Sequence, residues 1–183
     1  MPTTIIVGDG PAGLSAALLL AKNGHDTVVY GQDQTLLHHA HLYNYLGLAE
    51  VDGSAFQQVA RQQARDAGAR LSEAEVTAVA ADEHGGFTVT TTDGSDSARY
   101  LVLAGGRPAA RLAAALGATS EDGAVLTDGD AATSVPGVYA AGHLVRPERS
   151  QAIISAGDGA KAALDILSRE AGSDVHDWDT PPQ

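Results

Sequence analysis

Gly8, Gly10 and Gly13 stand in G-x-G-x-x-G spacing, directly after the apolar, β-branched run 5–7 and directly before the strong helix formers of 14–21. A strand that turns sharply into a helix aims the helix's unpaired N–H groups, and the positive end of its dipole, at one spot. Such a spot suits a phosphate or pyrophosphate. Gly8 permits the turn, Gly10 lets the anion approach the backbone, and Gly13 lets helix and strand pack closely. Pro11, followed by Ala12, occupies the first helical turn, where a missing N–H costs nothing. A ligand-free βα turn has the same local sequence, but strand, glycines and helix are contiguous here, which favours a dinucleotide. Asp9 lies inside this loop. A carboxylate beside a pyrophosphate is unfavourable, so its side chain is expected to point to solvent.

The acid that grips a ribose hydroxyl belongs about 20 residues beyond the glycines, at the end of the next strand. The run 26–30 (DTVVY) reads as that strand, ending at Tyr30. Gly31, Gln32 and Asp33 follow, and Asp33 is the candidate; a solvated loop aspartate is the alternative. His38, His39 and His41 cluster on a loop or frayed helix and are expected to have no adjacent carboxylate, which argues against a metal set.

Further along, 53–67 reads as a helix with Phe56, Val59, Ala60 and Ala64 on its inner side, closed by Gly68. The period then changes to short strands at 70–71, 75–80, 87–92 and 98–103, with turns at 82–86 and 93–95. Tyr100 to Ala104 is fully apolar and is expected to return to a central parallel sheet. A short helix at 111–116, short strands at 123–126 and 137–141, and a final helix within 151–168, starting around Gly157 or earlier, complete the chain. The predicted class is α/β: a Rossmann-like parallel sheet with an inserted antiparallel meander. Residues 1–170 make one domain. The tail, 171–183, is polar and expected to be flexible, with Trp178 the residue able to dock. No internal repeat is visible.

The 183 residues carry 23 acids against 11 bases, a net charge of −12, and contain no cysteine. Only Lys22 and Lys161 are lysines. That balance opposes nucleic-acid binding. The absence of cysteine excludes disulfides, thiolate metal sites and a dithiol relay within these residues. No run is long enough for a membrane span, and no signal-like segment precedes the first strand, so the expectation is a cytoplasmic protein. An acidic, lysine-poor, alanine-rich composition fits a salty cytoplasm, where salt screens self-repulsion. A halophilic protein whose stability rises with salt is therefore expected.

Four segments, in order, resemble the FAD domain of the thioredoxin-reductase-like, two-dinucleotide-domain flavoproteins: IIVGDGPAGLSAA, YNYLGL, TSVPGVYAAGH and SQAIISAGDGAKAAL. The second is similar to N-[WF]-P-G, the third to T-S-x-P-G-[VI]-[FY]-A-A-G-D, and the fourth to R-Q-A-x-x-[AS]-x-G-x-G-x-x-A-A. The quoted segments run from Ile5 to Leu164, within a resemblance that spans Thr3 to Leu167. The resemblance implies FAD, with its pyrophosphate on the first helix and Asn44 at the flavin. It implies Val76, with Tyr30 and Gly31, on the adenine side. Gly105 and Gly142 would bring backbone to the cofactor, with His143 and Ser150 beside it. The Gln151–Ala152 backbone and the last helix's N-terminus would face N1/O2 of the ring.

The departures matter as much. The resembled proteins carry a second, NADPH-binding domain between two crossing strands, together with a redox Cys pair. Here 103–108 (LAGGRP) runs the first junction straight into the second, and no second G-x-G-x-x-G occurs. Thioredoxin reductase activity is thereby excluded as an expectation. The Asp after A-A-G is His143, the Arg before Q-A is Ser150, and the flavin loop G-G-Q-L is not recognisable in HHAHL. Two functions follow. One is a minimal FAD oxidoreductase or electron-transfer protein with electrons supplied from outside, by a partner protein or small molecule. The other is a non-catalytic FAD-binding or FAD-less module serving as partner subunit or sensor. The resemblance also implies a homodimer.

Overall fold

The computed structural model describes residues 3–179. The apolar run after Thr3 becomes β1 (Thr4–Val7), and helix formers beyond the glycine turn become α1 (Pro11–Lys22), with Pro11 in its first turn. Then come β2 (Thr27–Tyr30), a 3₁₀ turn at Leu36–His39, β3 (His41–Leu42), β4 (Val51–Asp52), α2 (Gly53–Asp66) and β5 (Arg70–Ser72). The antiparallel meander is β6 (Val76–Ala81), β7 (Phe87–Thr91) and β8 (Gly94–Ala98). It is followed by β9 (Tyr100–Leu103), α3 (Arg107–Ala115), the small hairpin β10 (Ser120–Glu121) and β11 (Ala124–Val125), and β12 (Val138–Ala140). Two 3₁₀ turns, Gly142–Leu144 and Pro147–Arg149, lead into α4 (Ala152–Ala171).

The central sheet has five parallel strands in the order β12-β9-β1-β2-β5. Its inner strands are buried on both faces, so they read as continuous apolar runs rather than alternating ones. Alternate residues nonetheless serve different cores. Ile6, Val29, Val102 and Tyr139 pack with α1 and α4, whereas Ile5, Val28, Leu101 and Val138 pack with the meander and α3. Two glycines fix the α1 side. A Cβ at Gly13 would overlap the Gly8 carbonyl oxygen, and one at Gly159 of α4 would overlap that of Ala12. The order reverses between β1 and β9, and ligands of open α/β sheets bind outside the carboxyl ends at such a reversal.

The structure differs from the sequence expectations at several points. The inward face of α2 is Gly53, Gln57, Arg61 and Ala64, not the Phe56–Val59 stripe; Val59 is 59% exposed. The reason lies beneath the helix, where Asp9 requires polar partners. The segment after Asp93 is not a turn but the strand β8, and Arg99 separates it from β9. Turn-forming residues are drawn into pairing because β7 offers an open edge. The third helix starts at Arg107, where Gly106 and Pro108 set its first turn, and the last starts at Ala152. Trp178 does not dock and is 87% exposed, while the neighbouring Asp177 and Asp179 pair with Lys22 at 3.0 and 2.5 Å. The end of the expected tail, 180–183, lies outside the described residues, as do Met1 and Pro2. No helix among the described residues is long and apolar enough to cross a membrane.

Candidate functional site

A cavity of about 680 Å³ opens at the carboxyl ends of β1, β2, β9 and β12. Its size is that of a cofactor site. Three helices begin on its wall. Gly10, Pro11 and Ala12 open α1; Gly106, Pro108 and Ala109 open α3; Gln151, Ala152 and Ser155 open α4. None of the three has a capping side-chain hydrogen bond, and none has an acid in its first turn. Each leaves unpaired N–H groups and a positive partial charge at its end. The cavity is thus built to receive an anion.

The glycines of the first turn have separate roles. Gly8, at φ +109°, passes so close to the end of β9 that a Cβ would lie 2.7 Å from the Gly105 nitrogen. Gly13 seats α1 on β1 and does not line the cavity. Above Gly10 the space is open, with only Thr35 Cγ2 at 4.0 Å from a built Cβ. A ligand can therefore lie directly on this backbone. Uncapped helix ends and an open cradle at Gly10 fit the diphosphate of a dinucleotide.

Asp9 reverses its expectation. Its carboxylate is buried, 4% exposed, and points inward rather than to solvent. It pairs with the buried Arg61 guanidinium of α2 and accepts the Asp33 N–H at 3.1 Å. Gln57 Nε2 donates to the Asp9 carbonyl at 2.6 Å. Gly31 is required beside it, because a Cβ there would overlap the carboxyl group. Burial pushes the Asp9 carboxyl above the ordinary aspartate value, against the lowering effects of Arg61 and the Asp33 N–H.

Of the remaining predicted residues, Tyr30, Gly31 and Val76 line one end of the cavity. The Tyr30 hydroxyl donates to Asp96 at 2.6 Å, and burial with that carboxylate pushes its pKa up to about 12, so it stays a donor. Asn44, Gly142, His143, Ser150, Gln151 and Ala152 line the other end, with Gly105 between. Asn44 Nδ2 donates to Gln151 Oε1 at 3.2 Å, joining the YNYLGL loop to α4. Asp33 stands apart. Its neighbours Gln32 and Gln34 line the cavity, but its own carboxylate accepts from His38 Nε2 at 3.1 Å and lies 3.8 Å from Arg61. Nor do His38 and His41 lack carboxylates: the second pairs with Asp52 at 2.7 Å, a contact made by folding β3 against β4. Among the described residues no three such groups gather as metal ligands.

Sequence reasoning missed Arg61 and Gln57. The only available signal was the 57–61 spacing of two polar residues on one helical face, facing an unexplained Asp in a glycine loop. It also missed the start of α3 on the cavity wall, signalled by Gly106 and Pro108.

Solved structures share this fold. A thioredoxin reductase from Gloeobacter violaceus is 20% identical, with 98% of this chain and 99% of that one covered at a TM-score of 0.86. The atypical thioredoxin reductase TRi from Desulfovibrio vulgaris Hildenborough is 19% identical, with 94% and 99% covered at 0.84. A ferredoxin-flavin thioredoxin reductase from Clostridium acetobutylicum is 16% identical, with 94% and 99% covered at 0.81. Among curated proteins none matches the sequence. Residues 47–159, from the YNYLGL loop into α4, match the family described as pyridine nucleotide-disulphide oxidoreductase. That span takes in the meander, β9, α3, β12 and the opening of α4, which carry the α3 and α4 sides of the cavity wall, and the chain belongs to this family.

Proposed function

We propose that the chain binds one FAD, with the pyrophosphate over the turn from Gly8 to Gly13, and acts as a minimal flavin oxidoreductase or electron-transfer protein. The observation that carries this reading is the convergence of three uncapped, acid-free helix N-termini on one cavity. The N–H groups of the first turn of α1 would hold the diphosphate, Tyr30, Gly31 and Val76 the adenosine end, and Asn44, His143, Gln151 and Ala152 the ring end. Asp33 would have to leave His38 to grip the ribose. When bound, the flavin supplies the electron transfer. The chain's part is to orient it, to place the positive end of α4 beside it, and to let Asn44 and Gln151 fix the loop that borders it.

With no cysteine and a single glycine-turn dinucleotide motif, these residues supply neither a dithiol nor a second nucleotide site. We therefore propose that the chain is not a thioredoxin reductase and takes its electrons from a separate donor. A free nicotinamide nucleotide must approach a chain of net charge −12, and Arg107, Arg111, Arg146 and Arg149 are divided between α3 and the turn before α4. In anaerobic stopped-flow mixing with NADPH or NADH, flavin bleaching should be slower than about 10 s⁻¹, an ordinary enzymatic turnover. Faster bleaching would show a self-sufficient reductase.

A homodimer is part of the proposal. Leu46 and Leu48 are 88 and 49% exposed on the loop that borders the cavity and do not line it, an apolar display that a second copy of the chain would cover. In molar KCl at micromolar protein, light scattering should give a dimeric mass, and Leu46→Glu should lower it towards the monomer. A monomeric wild type sinks this part of the reading.

A further inference from the structure

The two positions at which the sequence departs from the resembled A-A-G-D and R-Q-A segments meet each other: His143 Nδ1 lies 3.0 Å from Ser150 Oγ. Both residues line the cavity. Gly142, at φ +70° and packed against Ala12, turns the chain so that His143 is exposed while Leu144 is buried behind it. Ser150 immediately precedes the N-cap of α4. The ring is thus held at one nitrogen by a residue that α4 fixes in place. Among the described residues Nε2 makes no hydrogen bond.

We infer that Ser150 is a positioning residue: its hydroxyl holds the His143 ring through Nδ1 and leaves Nε2 to the bound dinucleotide, so that a proton on the ring tightens the binding. This rests on the FAD reading above. Imidazole is the side chain whose charge ordinarily changes between pH 5 and 8, and the hydrogen bond at one nitrogen decides what the other offers. A cation at this point attracts a ligand that carries a diphosphate.

Of the surrounding charged groups, Asp9 is the one that could act in the same direction. Arg146, Glu148 and Arg149 follow on the same loop, Arg107 and Arg111 belong to α3, and Asp158 of α4 stands 3.6 Å from Arg146. Guanidinium and carboxylate groups ordinarily titrate outside pH 5–8. On the cavity wall, Glu75 is exposed and Tyr30 is held protonated; the Asp9 carboxyl, paired with Arg61 but pushed above the ordinary aspartate value by burial, acts in the same direction as His143 and is told apart from it by His143→Asn, which leaves Asp9 in place. His41 is the other imidazole on the wall, and it is engaged by Asp52.

The test measures FAD affinity by flavin fluorescence at pH 5.5 and 8, together with imidazole ¹⁵N shifts of the FAD-free protein. The wild type and His41→Asn should bind FAD about 5-fold more tightly at pH 5.5, the scale of one partly solvated charge contact. Ser150→Ala and His143→Asn should lose that dependence, and Ser150→Thr should keep it. In FAD-free protein, Ser150→Ala should shift the His143 tautomer balance and Ser150→Thr should not. A pH dependence that survives His143→Asn, or a His143 signal identical in wild type and Ser150→Ala, overturns the inference. If the ¹⁵N shifts respond to Ser150 while FAD is not taken up, the positioning role stands and the FAD reading falls.

Discussion

Arg61→Met should destabilise the protein by roughly 3–5 kcal/mol, because it leaves the Asp9 carboxylate buried without its cation. For a chain of this size that is roughly 10 °C in melting temperature. Both side chains are nine-tenths buried or more, and the pair ties α2 to the turn between β1 and α1. Replacing both partners with apolar groups of similar shape should cost much less than replacing one. The pH dependence has a definite sign. The Asp9 pKa is raised in the folded state, so its contribution is most favourable below the ordinary value of 3.8 and declines as pH rises through the folded value. A protonated Asp9 does not need Arg61. The deficit of Arg61→Met relative to the wild type should therefore narrow as pH falls. Urea unfolding of both proteins at pH 7 and pH 4.5 measures it; an unchanged or wider gap at the lower pH contradicts the account.

Gly10→Val should leave the fold intact and abolish FAD retention. The two effects separate because a Cβ at Gly10 meets nothing nearer than Thr35 Cγ2 at 4.0 Å, whereas the diphosphate would occupy the same space. The φ of Gly10 is −75°, which any residue adopts. Gly13 and Gly159 behave differently. A side chain at either overlaps backbone oxygen, so Gly13→Val or Gly159→Val should lose the fold itself. Circular dichroism and flavin content of the purified variants distinguish the cases. A folded Gly10→Val protein with normal flavin would place the diphosphate elsewhere.

The contrast among these glycines shows what was legible in the sequence. The strand, turn and helix at 4–22 were readable because hydrophobic period and glycine spacing are local signals. So was the return of Tyr100–Leu103 to the sheet, since a strand buried on both faces has a continuous apolar run. Fourteen of the sixteen residues named from the sequence line the cavity, Gly13 and Asp33 being the two that do not; ten of the fourteen stand in the four segments of the resemblance. What was not legible depended on partners distant in sequence. Hydrophobic periodicity ranks Val59 above Arg61 as an inward residue, and only Asp9, 52 positions away, inverts that order. Similarly, β8 is made of Gly, Ser, Asp and Ala, and it is a strand because β7 lies beside it. The side chain of Asp33 is likewise decided by His38 and Arg61 rather than by its distance from the glycines.

Flavin stoichiometry tests the central claim most directly. Protein purified in molar KCl, incubated with excess FAD and freed of unbound cofactor, should show an oxidised-flavin absorption band equal to one FAD per chain. A folded wild-type protein that emerges colourless contradicts the account, because the three helix ends at the cavity would then serve another anion or none.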